Sequence, residues 1–82
     1  MIVTYRYMGI PFRGMDFQTK QMELKENATI RVFMNCFLEQ YPFCDQSFVE
    51  KSCIFVNKVN ADHKTILHDG DSLLVMKVLG GG

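Results

Sequence analysis

Between residues 30 and 41 the apolar side chains Ile30, Phe33, Met34, Phe37, Leu38 and Tyr41 recur at intervals of three and four. That spacing puts them on one stripe of a helix, with Arg31, Asn35 and Glu39 on the opposite side. Thr29 stands where a capping hydroxyl accepts a backbone N–H bond, and Pro42 supplies a stop signal. No second segment of this 82-residue chain carries a helical pattern of comparable strength. A lone helix with one apolar face needs an apolar surface to cover it, and in a chain this short that surface has to be a sheet.

The strands of that sheet are legible on either side of the helix. Residues 2–8 are rich in β-formers, with Val3, Tyr5 and Tyr7 on one face and Ile2, Thr4, Arg6 and Met8 on the other. Gly9, Pro11 and Gly14 break the pattern and predict a loop. A second strand is expected over 17–24, where Met22 and Leu24 share a face; with the first it forms an antiparallel hairpin with an enlarged loop. After the helix, residues 43–51 read as irregular connection and Cys53-Ile54-Phe55-Val56-Asn57 as a short strand. The polar stretch 58–66 has room for a short extra strand. Asp69-Gly70-Asp71 is a tight turn, followed at once by a last strand over 72–79. The expected architecture is α+β: a mixed sheet of four or five strands, its first and last strands parallel neighbours at the centre, with one main helix on one face. Phe33, Phe37, Leu38, Val3, Tyr5, Val56, Leu73 and Val75 are expected in the core.

Composition narrows the function. One domain is all that this length can fold, and seven Phe, three Tyr and six Met supply its core. Nine basic residues balance nine acidic ones, without the basic excess or stripe of a nucleic-acid binder. The apolar runs fall short of a membrane span. Met1 to Arg6 lacks the basic and then apolar order of a signal peptide, so a cytoplasmic protein is expected. Cys36, Cys44 and Cys53 form no Cys-x-x-Cys pair, and His63 and His68 have no cysteine near them in a turn-rich stretch. Neither a disulfide framework nor a metal site is expected. No Ser-His-Asp or Cys-His arrangement points to catalysis, so catalytic residues of its own are not expected either.

The last strand runs directly into Gly80-Gly81-Gly82. Glycine has no side chain, so such a stalk can thread a channel too narrow for other residues and present a terminal carboxylate. Residues 1–79 are read as the folded domain and residues 80–82 as a flexible tail.

Taken together, Val56-Asn57, then Leu67-His68-Asp69-Gly70-Asp71, then an apolar strand ending Val78-Leu79-Gly80-Gly81, resemble the "VN … L-x-D-G-D … GG" pattern of ubiquitin-like β-grasp sulfur carriers. The similarity covers essentially the whole chain. It is nearest to the small subunit of molybdopterin synthase and next to the thiamine-pathway sulfur carrier. Tyr5 to Gly14, ending Phe12-Arg13-Gly14, looks like the longer first loop of the molybdopterin branch. The chain departs from the pattern in ending on three glycines, in its aromatic and cysteine-bearing segment 42–51, and in Met76-Lys77, where the molybdopterin branch often has prolines.

The resemblance implies a protein that catalyses nothing itself, a co-substrate or small subunit of a sulfur-transfer enzyme. It implies that an E1-like adenylyltransferase uses ATP to activate the terminal glycine, Gly82, or Gly81 once Gly82 is removed. A sulfur donor then converts the adenylate to a thiocarboxylate, and the sulfur goes to cofactor biosynthesis, with the large subunit of molybdopterin synthase as a candidate partner. No bound cofactor is implied. Arg6, Met8, Leu74, Met76 and Val78 fall on the sheet face away from the helix and make the expected partner surface beside the tail. Two other readings remain open: a ubiquitin-like modifier joined to lysines through its C-terminal glycine, and a β-grasp interaction domain whose tail has no chemistry. An iron–sulfur β-grasp protein does not fit, because three scattered cysteines cannot supply four thiolates.

Overall fold

The computed structural model describes residues 1–9, 16–41 and 52–77. They form β1 (Ile2–Gly9), β2 (Lys20–Glu23), α1 (Ile30–Gln40), β3 (Ser52–Val56), β4 (Val59–Ala61) and β5 (Ser72–Lys77). The five strands make one mixed sheet in the order β2-β1-β5-β3-β4. β1 and β5 run parallel at its centre, and the other pairings are antiparallel. The expected α+β layout is therefore the observed one, with the short extra strand realised as β4.

Alternation along the strands decides which face meets the helix. Val3, Tyr5 and Tyr7 of β1, Ile54 of β3 and Leu73 and Val75 of β5 are buried, and α1 lays Ile30, Phe33, Met34 and Phe37 against them. Met22, Leu24, Ala28, Tyr41 and Leu67 close the margins of this core. Tyr5 lies edge-on to Phe33 and Phe37, at centroid distances of 5.5 and 5.9 Å, the geometry that aromatic quadrupoles favour. Its hydroxyl is not wasted in the interior: it donates to Gln40 Oε1 at 2.6 Å, and burial pushes its pKa above the ordinary tyrosine value. At the same end of the helix, Lys20 Nζ donates to the Tyr41 hydroxyl at 2.9 Å and pairs with Asp16 at 3.3 Å, tying β2 to the helix C-terminus.

The helix begins where its cap predicts. Thr29 is extended, and its hydroxyl accepts from the Val32 N–H at 3.4 Å, while the Tyr41 N–H closes the other end on Phe37 and Leu38 carbonyls. Four expectations need correction. β2 is shorter than 17–24: Phe17 stands outside it, stacked on Tyr7 at 5.9 Å, and Leu24 meets Met1 through reciprocal backbone bonds of 2.8 Å. Leu38 and Val56 are only partly buried, packed against the core from its rim. Gly9 does not end the first strand early but is its last residue, paired with Lys77. Asn57 leaves the strand to enter the turn into β4. The expected loop at 10–15, the connection at 42–51, and the end of the last strand with its glycine tail, residues 78–82, lie outside the described residues.

Candidate functional site

The face of the sheet away from α1 is built from registered rows. Arg6 of β1 pairs with Leu74 of β5, which pairs with Phe55 of β3; one row on, Met8 pairs with Met76, which pairs with Cys53. Paired residues point to the same side, and neighbouring strands lie about 4.8 Å apart, so these six side chains are contiguous. Arg6, Met8 and Cys53 are exposed, whereas Leu74, Met76 and Phe55 are half-buried because they shield one another. Phe55, Lys58, Ser72, Leu74 and Met76 line a shallow groove of about 270 Å³. Neither Arg6 nor Lys58 has an ion-pair partner among the described residues. The face thus offers an apolar strip bordered by two unneutralised cations.

Of the residues singled out for this surface, Arg6, Met8, Leu74 and Met76 come together on it, and Val78 lies outside the described residues. Sequence reasoning missed Phe55, Cys53 and Lys58. The alternation that would have found the first two is present, since Ile54 and Val56 face the core and Cys53 and Phe55 do not, but Ile54-Phe55-Val56 reads as a continuous apolar run with no distinguishable face.

The strand that carries this face toward the glycines is fixed at its start by a buried carboxylate. Asp71 Oδ1 accepts from Asn57 Nδ2 at 2.9 Å and its Oδ2 from the His68 N–H at 2.7 Å. Asn57 also takes the Ser72 N–H on its Oδ1 at 3.0 Å and donates its own N–H to the Ser72 carbonyl at 2.8 Å. Asn57 and Lys58 both have positive φ, the backbone of the tight hairpin turn between β3 and β4. The preceding turn docks on β1: Asp69 Oδ1 accepts from the Ile2 N–H at 2.7 Å, and the Gly70 N–H donates to the Ile2 carbonyl at 2.8 Å. The "VN" and "D-G-D" segments are therefore two halves of one clamp that sets β5 between β1 and β3.

This clamp predicts two unequal losses at Asn57. Asn57→Gly removes the side-chain bonds and should cost about 1–2 kcal/mol. Asn57→Ala removes the same bonds and also forces a Cβ into positive φ, costing about 1 kcal/mol more. Urea denaturation of the two variants measures the difference; equal losses would mean that the turn backbone is unstrained.

At its far end β5 is paired on both sides, Lys77 with Gly9 of β1 and with Ser52 of β3. In the sequence only Val78 and Leu79 separate this pair from the glycines. A larger cavity, about 590 Å³, lies on the helix side between α1 and the β3–β4 edge, away from the open face. Among the described residues no three His, Cys, Asp or Glu side chains gather as metal ligands, and no helix is long and apolar enough to cross a membrane.

Solved structures share this architecture. SAMP1 from Haloferax volcanii superposes with a TM-score of 0.76 at 14% identity, over 100% of both chains. A putative molybdopterin converting factor, subunit 1, from Pyrococcus furiosus gives a TM-score of 0.70 at 21% identity, covering 95% of this chain and 98% of that one. A structure of H. volcanii small archaeal modifier protein 1 gives 0.70 at 14% identity with the same coverage. No protein-family model matches the sequence, and no curated protein does. The likeness is one of fold: the chain has the ubiquitin-like β-grasp fold, the fold of these small modifier and converting-factor proteins.

Proposed function

We propose that the protein is a sulfur carrier, a protein co-substrate whose C-terminal glycine is converted to a thiocarboxylate for cofactor biosynthesis, with molybdopterin as the product best matched by the likeness to the converting-factor subunit. The observation that carries the reading is the placement of the glycine run. In the sequence it begins three residues after Lys77, the last described residue of a central strand that is paired on both sides, is clamped at its start and carries an apolar strip on its open face. A strand held in this way gives a partner enzyme a fixed reference from which to find a terminus that has no side chains of its own.

The chemistry explains the need for partners. An α-carboxyl group has a pKa of about 3.5, so at neutral pH it is a stabilised anion and a poor electrophile. In the proposed sequence, a carboxylate oxygen of Gly82 attacks the α-phosphorus of ATP on an E1-like adenylyltransferase, and pyrophosphate leaves. Hydrosulfide from a sulfur donor then displaces AMP from the acyl-adenylate, leaving a C–S bond and a nucleophilic sulfur. The large subunit of molybdopterin synthase is the proposed acceptor enzyme. The carrier supplies recognition and position, and the partners supply the catalysis. ATP belongs to the activating enzyme, and the reading carries with it a cytoplasmic location, where ATP is available. The open face would meet a partner surface with an apolar centre and carboxylates opposite Arg6 and Lys58, since complementary charge steers and orients docking.

Intact-mass measurement tests the proposal. Incubated with ATP, a cognate E1-like enzyme and sulfide, the protein should gain the mass difference between one sulfur and one oxygen, located by fragmentation to the last residue. Lysine-linked conjugates without that mass change would instead establish a modifier. An unchanged mass with an enzyme that activates its own carrier would overturn both.

A further inference from the structure

One row of the open face is made entirely of sulfur-bearing side chains. Met8 of β1 pairs with Met76 of β5, and Met76 pairs with Cys53 of β3. Cys53 is an exposed free thiol, Met8 is exposed, and Met76 is half-buried between them. The other described residues of this kind, Met1, Met22, Met34 and Cys36, are buried in the core or packed against it. Neighbouring Cβ atoms in such a row lie about 4.5–5.5 Å apart, which puts the outer two about 10 Å apart. Methionine is unbranched and turns about three side-chain bonds, so Met8 can lean along the row and bring its sulfur within reach of the other two.

We propose that Met8, Met76 and Cys53 form a three-coordinate site for copper(I). The donors select the ion: one thiolate and two thioethers are soft ligands, and soft monovalent copper prefers them to oxygen. Zinc takes thiolate, imidazole or carboxylate, and the row offers it a single such group. The described histidines stand elsewhere, His63 beside the helix-side cavity and His68 before the start of β5. On binding, the Cys53 thiol gives its proton to solvent and its sulfur bonds to the metal, while the two thioethers donate lone pairs. The thiolate cancels the charge of the ion, so the filled site is neutral. That matters because Arg6 stands two residues back along β1, about 7 Å away, and would repel an uncompensated cation. The adjoining row also supplies Leu74 and Phe55, an apolar wall that limits the approach of water to the metal. The site uses no residue of the glycine run and stands independently of the sulfur-carrier reading.

Anaerobic titration of the reduced, metal-free protein with copper(I), against the coloured chelator bathocuproine disulfonate, tests the site. One ion should bind per chain, with three sulfur neighbours by X-ray absorption. Met8→Leu and Met76→Leu keep volume and apolar character, so both should fold. Each should weaken copper binding at least about tenfold, since even changes outside the ligand shell cost a metal site about 10–100-fold. Cys53→Ser should weaken it further, whereas the double variant Cys36→Ala, Cys44→Ser should bind as wild type does. Zinc(II) in about tenfold excess should leave the copper in place. Unchanged affinity in the two methionine variants would reduce the site to a lone thiol and overturn the proposal. So would one ion shared between two chains, loss of binding in the Cys36, Cys44 double variant, displacement by zinc, or no uptake at all. Should a methionine variant not fold, the methyl NMR signals of wild type decide. Copper(I) should shift those of Met8 and Met76 and leave those of Met22 and Met34 in place, and the reverse pattern overturns the proposal.

Discussion

Phe37→Ala should destabilise the domain by about 3–5 kcal/mol, the usual cost of removing a fully enclosed phenylalanine. Phe37 has no exposed surface. Its ring lies edge-on to Tyr5 at 5.9 Å, 6.0 Å from Phe33 and 4.8 Å from Tyr41, so it joins both ends of the helix stripe to the central strand. Truncation would empty a space walled by three other rings. Those rings are themselves constrained, Tyr5 by its bond to Gln40 and Tyr41 by its bond from Lys20, so collapse into the gap would break polar contacts as well. A domain of this size has a total stability of roughly 5–15 kcal/mol, so the loss is a large share of the whole. Thermal unfolding should show it as a fall of at least about 10 °C, given about 4–8 °C per kcal/mol for small domains. A change under about 1 kcal/mol would mean that the cluster refills the gap and that the helix is held elsewhere.

The prominence of Phe37 is legible in the sequence alone, because the three-and-four spacing of Ile30, Phe33, Met34 and Phe37 leaves one possible buried face. Leu38 shares the apolar character but lies one residue round the helix, at the edge of the contact, and it is only partly buried. The central strands are legible for the corresponding reason: Val3, Tyr5 and Tyr7 alternate with Arg6 and Met8, and Leu73 and Val75 with Leu74 and Met76. β2 is harder to delimit. Phe17 looks like a strand residue, yet it acts from outside the strand by stacking on Tyr7, a tertiary contact that no local pattern announces.

Site features divide along the same line. The resemblance supplies Asn57 and Asp71 as parts of a pattern, but not the reason for them. That reason is a meeting of residues fourteen apart, an amide in a positive-φ turn with a buried carboxylate. Gly9 reads as a breaker, because an isolated glycine after a strand usually marks a loop. Its approach to Lys77 joins residues from the two ends of the chain, and only the parallel register of β1 and β5 brings them together. Periodicity reports which way a side chain faces; it is silent on which distant backbone lies against it.

The largest functional effect is expected at the far end of the chain. Adding one alanine after Gly82 should abolish sulfur uptake from ATP, an E1-like enzyme and sulfide. The addition turns the Gly82 carboxylate into a neutral amide and moves the free carboxylate outward by about 3.3–3.6 Å, the reach of one extended residue. It also puts a methyl group where the glycines left the stalk bare. A displacement several times larger than the roughly 1 Å that already costs a hundredfold leaves no measurable adenylation. The domain itself should be unaffected, since the new residue follows a run of three glycines that have no side chains to pack, and equal melting temperatures would verify this. Replacing all three cysteines should have the opposite outcome. Cys53 is exposed on the open face and Cys36 packs against the core, while Cys44 lies outside the described residues. With Cys36→Ala chosen to preserve packing, and Ser at the other two, the folded protein should still take up one sulfur, because the proposed mechanism carries the sulfur on the terminal carbonyl carbon and not on a thiol. If the folded cysteine-free protein takes up none, or the extended protein takes up sulfur without first losing its added residue, the carrier mechanism is wrong.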